Sequence, residues 1–245
     1  MNLKTYGFLS DVHLGLEDRE RERRKERALV GLLEKLGEEI DELFIVGDLF
    51  DYWFEYRRVQ PKGYFRTLTA LADLVERGVR VRYVIGNHDF FHRDFFEKEV
   101  GAELAHDYID ETLNGKRFFI AHGDGYVSGD GGYNFLKKIF RNRVLQWAWS
   151  LVHPDAGLAL ARGASRSSRD YTTKKDYGEA DGLFDAAKAK IDAGFDYVVF
   201  GHLHQLQNLS HNAGRYVNLG AWLEKPRYGL FRENFSIIDW EDYGG

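Results

Sequence analysis

The chain has 245 residues, enough to bury one large core or one core with an insertion. Its hydrophobic fraction of 44% beside 30% charged residues is that of an ordinary globular domain. The net charge of -5 excludes the broad basic field of a nucleic-acid protein, and the lack of cysteine excludes disulfides and thiolate zinc sites.

Met1 to Tyr6 lead straight into a strand, with no apolar region of the signal-peptide kind. No uncharged run approaches the roughly 18 residues of a membrane span. The expected location is cytoplasmic, with any membrane contact peripheral. Tyr6 to Ser10 reads as the first strand, with Asp11 and His13 on the turn behind it. The mixed charge run Glu17 to Arg27 reads as the solvated start of a helix, with Glu20 and Arg24 as an i,i+4 pair. Leu29, Leu32, Leu33, Leu36 and Ile40 continue it at helical spacing. Leu43 to Val46 is the second strand and delivers Asp48. After the aromatic Tyr52, Trp53, Phe54 and Tyr56, the spacing predicts a helix from about Tyr64 to Arg77, stopped by Gly78. Val79 to Ile85, the third strand, ends at Asn87. This alternation implies βαβ units with right-handed crossovers.

The second half reads differently. Asn114-Gly115 between Tyr108–Leu113 and Lys116–Ala121 is a strong hairpin signal, and its second arm ends at His122. Tyr197 to Phe200 delivers His202 and His204, and short strands are expected at Tyr216–Leu219, Gly229–Phe231 and Phe235–Trp240. With neither repeat nor low-complexity linker, residues 1–245 read as a single α/β domain, an αββα sandwich. Only residues from about 129 to 177 look inserted. There Leu136, Phe140, Val144, Trp147 and Leu151 recur at helical intervals, edged by Lys137, Lys138, Arg141 and Arg143. The segment reads as an interfacial helix or as one packed on the body. Arg162, Arg166, Arg169, Lys174 and Lys175 stand among serines and threonines, as a phosphate clamp or a polar lid surface.

Five apolar runs end in oxygen or imidazole donors. They are Phe8-Leu9-Ser10-Asp11-Val12-His13, Val46-Gly47-Asp48, Val84-Ile85-Gly86-Asn87, Phe119-Ile120-Ala121-His122 and Val199-Phe200-Gly201-His202-Leu203-His204. Ligands of open α/β sheets bind beyond the carboxyl ends of strands, so these donors are expected to converge on a metal site. Mixed carboxylate, amide and imidazole ligands suit Mn²⁺, Fe²⁺ or Zn²⁺ better than an all-oxygen Ca²⁺ cage. His92, His106, His153 and His211 fall outside the motifs and read as structural. Asp51 and Asp124 are candidates to hold ligand imidazoles, and Asp51 reads equally as a turn residue.

Asp-x-His, Gly-Asp-x-x-Asp, Gly-Asn-His-Asp, His-Gly-Asp and Gly-His-x-His, in this order from Asp11 to His204, resemble the calcineurin-like metallophosphoesterases. The resemblance implies a four-layer αββα sandwich and two divalent ions, Mn²⁺ foremost. One ion would be held by Asp11, His13, Asp48 and His204, the other by Asp48, Asn87, His122 and His202, with Asp48 bridging. It also implies a metal-bridging hydroxide as nucleophile, His88 at the phosphoryl oxygen or leaving group, and Asp89 orienting His88.

The aromatic segment Asp51–Tyr56, the His-Gly-Asp-Gly motif at His122 and the apolar-basic insert narrow the likeness. They look like the UDP-2,3-diacylglucosamine pyrophosphohydrolases of lipid A biosynthesis. That implies a lipid-linked nucleotide substrate cleaved to UMP and 2,3-diacylglucosamine 1-phosphate, at the inner face of the inner membrane. It also implies the insert as a helical lid over acyl chains, with neither nucleic acid nor an obligate protein partner. Trp53, Phe140, Trp147, Arg162, Arg166, Arg169, Lys174 and Lys175 are the expected substrate contacts. One position departs, since the best-known branch has Arg where this chain has His88. The alternative enzyme reading is a phosphodiesterase or phosphatase of the same family acting on another nucleotide or lipid-linked ester, for which a polar pocket would speak. A non-enzymatic reading is a metal-bound scaffold that docks partners through Trp147 and Trp149.

Overall fold

Alternation along each strand decides which layer a side chain joins. In the computed structural model, which describes residues 3–126, 143–157, 182–223 and 225–240, the strands are β1 (Tyr6–Leu9), β2 (Glu42–Val46), β3 (Arg80–Val84), β4 (Glu103–Ala105), β5 (Tyr108–Leu113), β6 (Lys116–Ala121), β7 (Tyr197–Phe200), β8 (Leu206–His211), β9 (Gly214–Leu219), β10 (Arg227–Phe231) and β11 (Phe235–Asp239). They form two sheets, ordered β11-β10-β1-β2-β3-β4 and β5-β6-β7-β9-β8. β1 to β4 run parallel, and β10 closes on β1 antiparallel. In the second sheet β6, β7 and β9 are parallel, while β5 and β8 form antiparallel edges.

Among the described residues four α-helices of seven to twenty-one residues flank these sheets: α1 (Arg19–Glu39), α2 (Phe65–Glu76), α3 (Arg143–Trp149) and α4 (Gly182–Asp192). On β2, Leu43 and Ile45 face the α1 and α2 leucines, while Phe44 and Val46 turn inward to meet Phe118, Ile120, Val199 and Val217. On β6 and β7 the outward residues Phe119, Ala121, Val198 and Phe200 pack on Leu183, Ala187 and Ile191 of α4. The period of two therefore yields helix, sheet, sheet and helix as four layers. Asp18 caps α1, its carboxylate accepting from the Glu20 and Arg21 N–H groups at 3.0 Å each.

The predicted strands and the hairpin at Asn114-Gly115 lie where the pattern places them. The charge run that opens α1 is a partial exception. Arg24 and Glu20 pair at the surface at 3.2 Å, but Lys25 and Glu26 of the same run are buried. β4, β8, α4 and a helical turn at Phe96–Val100 carry no sequence signal named above. Of the long apolar segment in the insert, α3 and the residues to Val152 are described. Phe140, Arg162, Arg166, Arg169, Lys174 and Lys175 lie outside the described residues.

Candidate metal centre

The centre is built from bends. Among the described residues, seven that are not glycine have positive φ, and five of these are predicted ligands: Asp11 (50°), His13 (49°), Asp48 (53°), His202 (71°) and His204 (58°). Left-handed backbone is costly for a residue with a Cβ and persists where surrounding structure enforces it. Here the enforcement is a web of main-chain bonds that carries the sheet beyond its last strand residues. The N–H of Asp11 donates to Gly47 O at 3.2 Å, that of His13 to Asp48 O at 3.0 Å, and that of Gly201 to His122 O at 2.8 Å. Two glycines admit the ligands. A Cβ on Gly86 would collide with the Asp48 carboxylate, and one on Gly201 with Ser10 Oγ and the Asp11 carboxylate.

All seven predicted ligands converge. His13 Nε2 lies 2.9 Å from His204 Nε2, 3.8 Å from Asp11 Oδ1 and 3.7 Å from Asp48 Oδ2. His204 Nε2 is 3.5 Å from Asp11 Oδ1. On the other side His122 Nε2 lies 3.3 Å from Asp48 Oδ2, and Asn87 Oδ1 is 2.9 Å from both His122 Nε2 and His202 Nδ1. Asp48 thus stands between the two halves. Ligand atoms of Asp11, His13 and His204, and of Asp11, Asp48 and His122, fall into groups compact enough to hold an ion.

Electrostatics fit that purpose. Burial alone would raise the Asp11 carboxyl, but its hydrogen bond with His204 and the nearby charge of His122 hold it below the usual range. Asp48 is held lower still, burial being outweighed by the charges of His122 and His88. Burial would likewise lower His122, yet the charge and hydrogen bond of Asp48 pull it well above its ordinary value. His204 is raised against burial by Asp11. His13 is pushed well below its ordinary value by burial, and His202 to about 4 by burial and the charge of His122. The protons drawn onto His122 and His204 stand where a divalent cation would be bound by the same ionised carboxylates, so the donor set fits such an ion. The Val46 carbonyl, 3.0 Å from His122 Nδ1, can only accept; it keeps a proton on Nδ1 and leaves Nε2 for coordination. Asp124, also buried, adds its charge to both His122 and His202.

Two predicted roles need correction. Asp89 does not orient His88. Its carboxylate accepts from the Gly86 N–H at 2.9 Å, from Tyr83 Oη and from the Phe50 N–H at 3.4 Å, so it anchors the Asn87 loop from within the fold. Burial and the charge of Asp48 push it up to about 6. The group beside His88 is Asp51, whose carbonyl lies 3.1 Å and whose Oδ1 lies 3.5 Å from His88 Nδ1, with the same Oδ1 3.7 Å from His13 Nδ1. Trp53 is no substrate contact either. It is fully buried, 4.7 Å from Phe50 and 5.2 Å from Phe96 between ring centroids.

A cavity of about 380 Å³ opens beside Asp51, walled by Tyr52, Phe54, Tyr56 and Pro61, with Lys62 at its side and Pro154 closing it from the insert. On α3 and the turn after it, Val144, Trp147 and Leu151 are all more than half exposed. Sequence reasoning missed Asn218, a buried side chain that donates to Gly201 O at 2.6 Å and braces the Gly-His-x-His loop. Only its place at the end of a predicted strand hinted at it.

Comparison with known proteins agrees with this geometry. The model of the calcineurin-like phosphoesterase family matches residues 4–206. A UDP-2,3-diacylglucosamine hydrolase of Porphyromonas gingivalis is 33% identical, over 98% of this chain and 98% of its own. One from Aeromonas salmonicida is 30% identical over 89% of this chain and 86% of its own. An archaeal phosphodiesterase structure superposes with a TM-score of 0.50 at 15% identity, over 96% of this chain and 99% of its own. The motif order, the two-sheet sandwich and the span of the family match together place this chain among the calcineurin-like phosphoesterases.

Proposed function

We propose that the protein hydrolyses the pyrophosphate of UDP-2,3-diacylglucosamine to UMP and 2,3-diacylglucosamine 1-phosphate. The observation that carries this reading is the continuity of the seven-donor centre, through Asp51, with an aromatic-walled cavity set against the insert. Apolar and aromatic walls of this kind suit acyl chains. The names of the two near-full-length relatives point the same way.

Asp11, His13, Asp48 and His204 would hold one divalent ion and Asp48, Asn87, His122 and His202 the other, Mn²⁺ being the expected metal. When bound, such a pair supplies Lewis-acid activation of water and of a phosphoryl oxygen. The protein's own part is positioning and proton transfer. The Asp51 carbonyl fixes a proton on His88 Nδ1, which leaves Nε2 to meet the phosphoryl oxygen or the leaving group. The backbone N–H of His88 donates to Asp48 Oδ1 at 2.9 Å, tying this histidine to the centre. A His88→Ala variant should lose about 10²–10⁴-fold in kcat while its metal content stays unchanged. Full activity in that variant would remove His88 from the mechanism.

Residues from about 129 to 177 form, in this reading, the lid over the acyl chains. Val144, Trp147 and Leu151 recur three and four residues apart and offer an apolar stripe to a lipid surface. Among the described residues no helix is long and apolar enough to cross a membrane. The exposed apolar stripe supports a peripheral contact with the inner membrane, which co-sedimentation with anionic phospholipid vesicles checks. The deciding experiment is UMP release from UDP-2,3-diacylglucosamine in detergent by the Mn²⁺-loaded enzyme. Cleavage of a generic phosphodiester without UMP release would keep the chemistry and discard the lipid substrate.

A further inference from the structure

Lys25 belongs to none of the five motifs, yet its side chain is fully buried on α1 against the turn that carries His13. Its Nζ lies 2.7 Å from the His13 carbonyl oxygen, 3.3 Å from Glu22 Oε1 and 3.5 Å from Glu17 Oε2. The two glutamates are joined in turn, the Glu17 N–H donating to Glu22 Oε2 at 2.9 Å. Lysine is seldom wholly buried, and a buried ion pair is a poor way to gain stability, because desolvation offsets the attraction. At a core-facing position of an amphipathic helix, leucine would serve packing better. The use of lysine here therefore calls for a local reason.

The His13 backbone supplies it. This residue holds a left-handed bend, φ 49°, and both of its peptide groups are pinned. Its N–H donates to Asp48 O at 3.0 Å, which ties it to the end of β2. Its carbonyl accepts from Lys25 Nζ and, at 3.4 Å, from the Leu16 N–H. We propose that Lys25 is a positioning residue of the metal centre. Held by Glu17 and Glu22, it clamps the His13 carbonyl so that the imidazole keeps its place opposite His204 and Asp11. The inference rests on the reading of Asp11, His13, Asp48 and His204 as one ion's ligands.

The test is calorimetric titration of the metal-free, full-length protein with Mn²⁺, alongside thermal unfolding of the metal-free state. The native chain is expected to bind two ions; failure there would overturn the metal-centre reading itself. In Lys25→Met, affinity at the site that includes His13 should fall on the order of 10–100-fold, as for other groups that orient a ligand, with the second site unchanged. Two native-like binding phases, or an equal loss from both, would overturn the inference and leave Lys25 a structural residue. Since Lys25→Met strands two partly buried carboxylates, the Glu17→Gln/Glu22→Gln/Lys25→Met variant repeats the measurement without them and is judged the same way.

Discussion

An Asp48→Asn variant is expected to lose hydrolysis by at least about 10³-fold, a loss at the upper end for one electrostatic group in an active site, and to bind neither ion tightly. The reason is geometric. Asp48 Oδ2 lies 3.3 Å from His122 Nε2 and 3.7 Å from His13 Nε2, so one carboxylate serves imidazoles from both sheets. Asparagine keeps the shape and removes the charge, which separates the two roles. The same substitution should also lower the stability of the metal-free fold, because it removes the buried carboxylate that the charges of His122 and His88 hold ionised and leaves His122 without its main counter-charge. The measurement pairs UMP release with metal content and Tm. Normal turnover on a single ion in this variant would refute the bridging role.

Removing divalent ions with a chelator should lower Tm by roughly 10–20 °C. Each ion supplied at about a hundred times its Kd stabilises the folded state by about 2.7 kcal/mol. In a chain of this size each kcal/mol moves Tm by about 2–4 °C. Adding Mn²⁺ back should restore the loss in native protein and fail to do so in Asp48→Asn. An unchanged Tm on chelation of a fully loaded sample would contradict the centre as described.

The strands were legible where apolar runs end in a polar donor, because that pattern serves two demands at once, a buried sheet and a ligand at its carboxyl edge. β8 escaped notice since Leu206 to His211 is an edge strand that alternates between exposed and half-buried positions and shows little apolar run. α4 escaped because two of its core contacts, Leu183 and Ile191, are separated by the small Ala187, which weakens the stripe. The donors that converge could be read from the chain, but their supports could not. Asp89 sits next to His88 in sequence and turns away from it, while Asp51 reaches it from 37 residues away. Trp53 looked available among aromatic neighbours and is enclosed by them. Lys25 was hidden in a charge run whose average is solvated, since pattern rules describe a face and not the one position that faces inward.

The ligands that meet at the centre are far apart in the chain, His13 and His204 being 191 residues apart and His202 lying as far from Asp11. During synthesis, Asp11, His13 and Asp48 emerge long before an imidazole arrives to stand opposite them. β1 also waits for β10, its antiparallel neighbour, which lies within the last twenty residues. On the proposed reading of the centre, metal uptake is therefore an event of the finished chain. Contacts of such long sequence separation form late in folding, so a nascent or truncated polypeptide has no two-ion centre to load. The cell's supply of the ion acts on completed protein, not on protein being made.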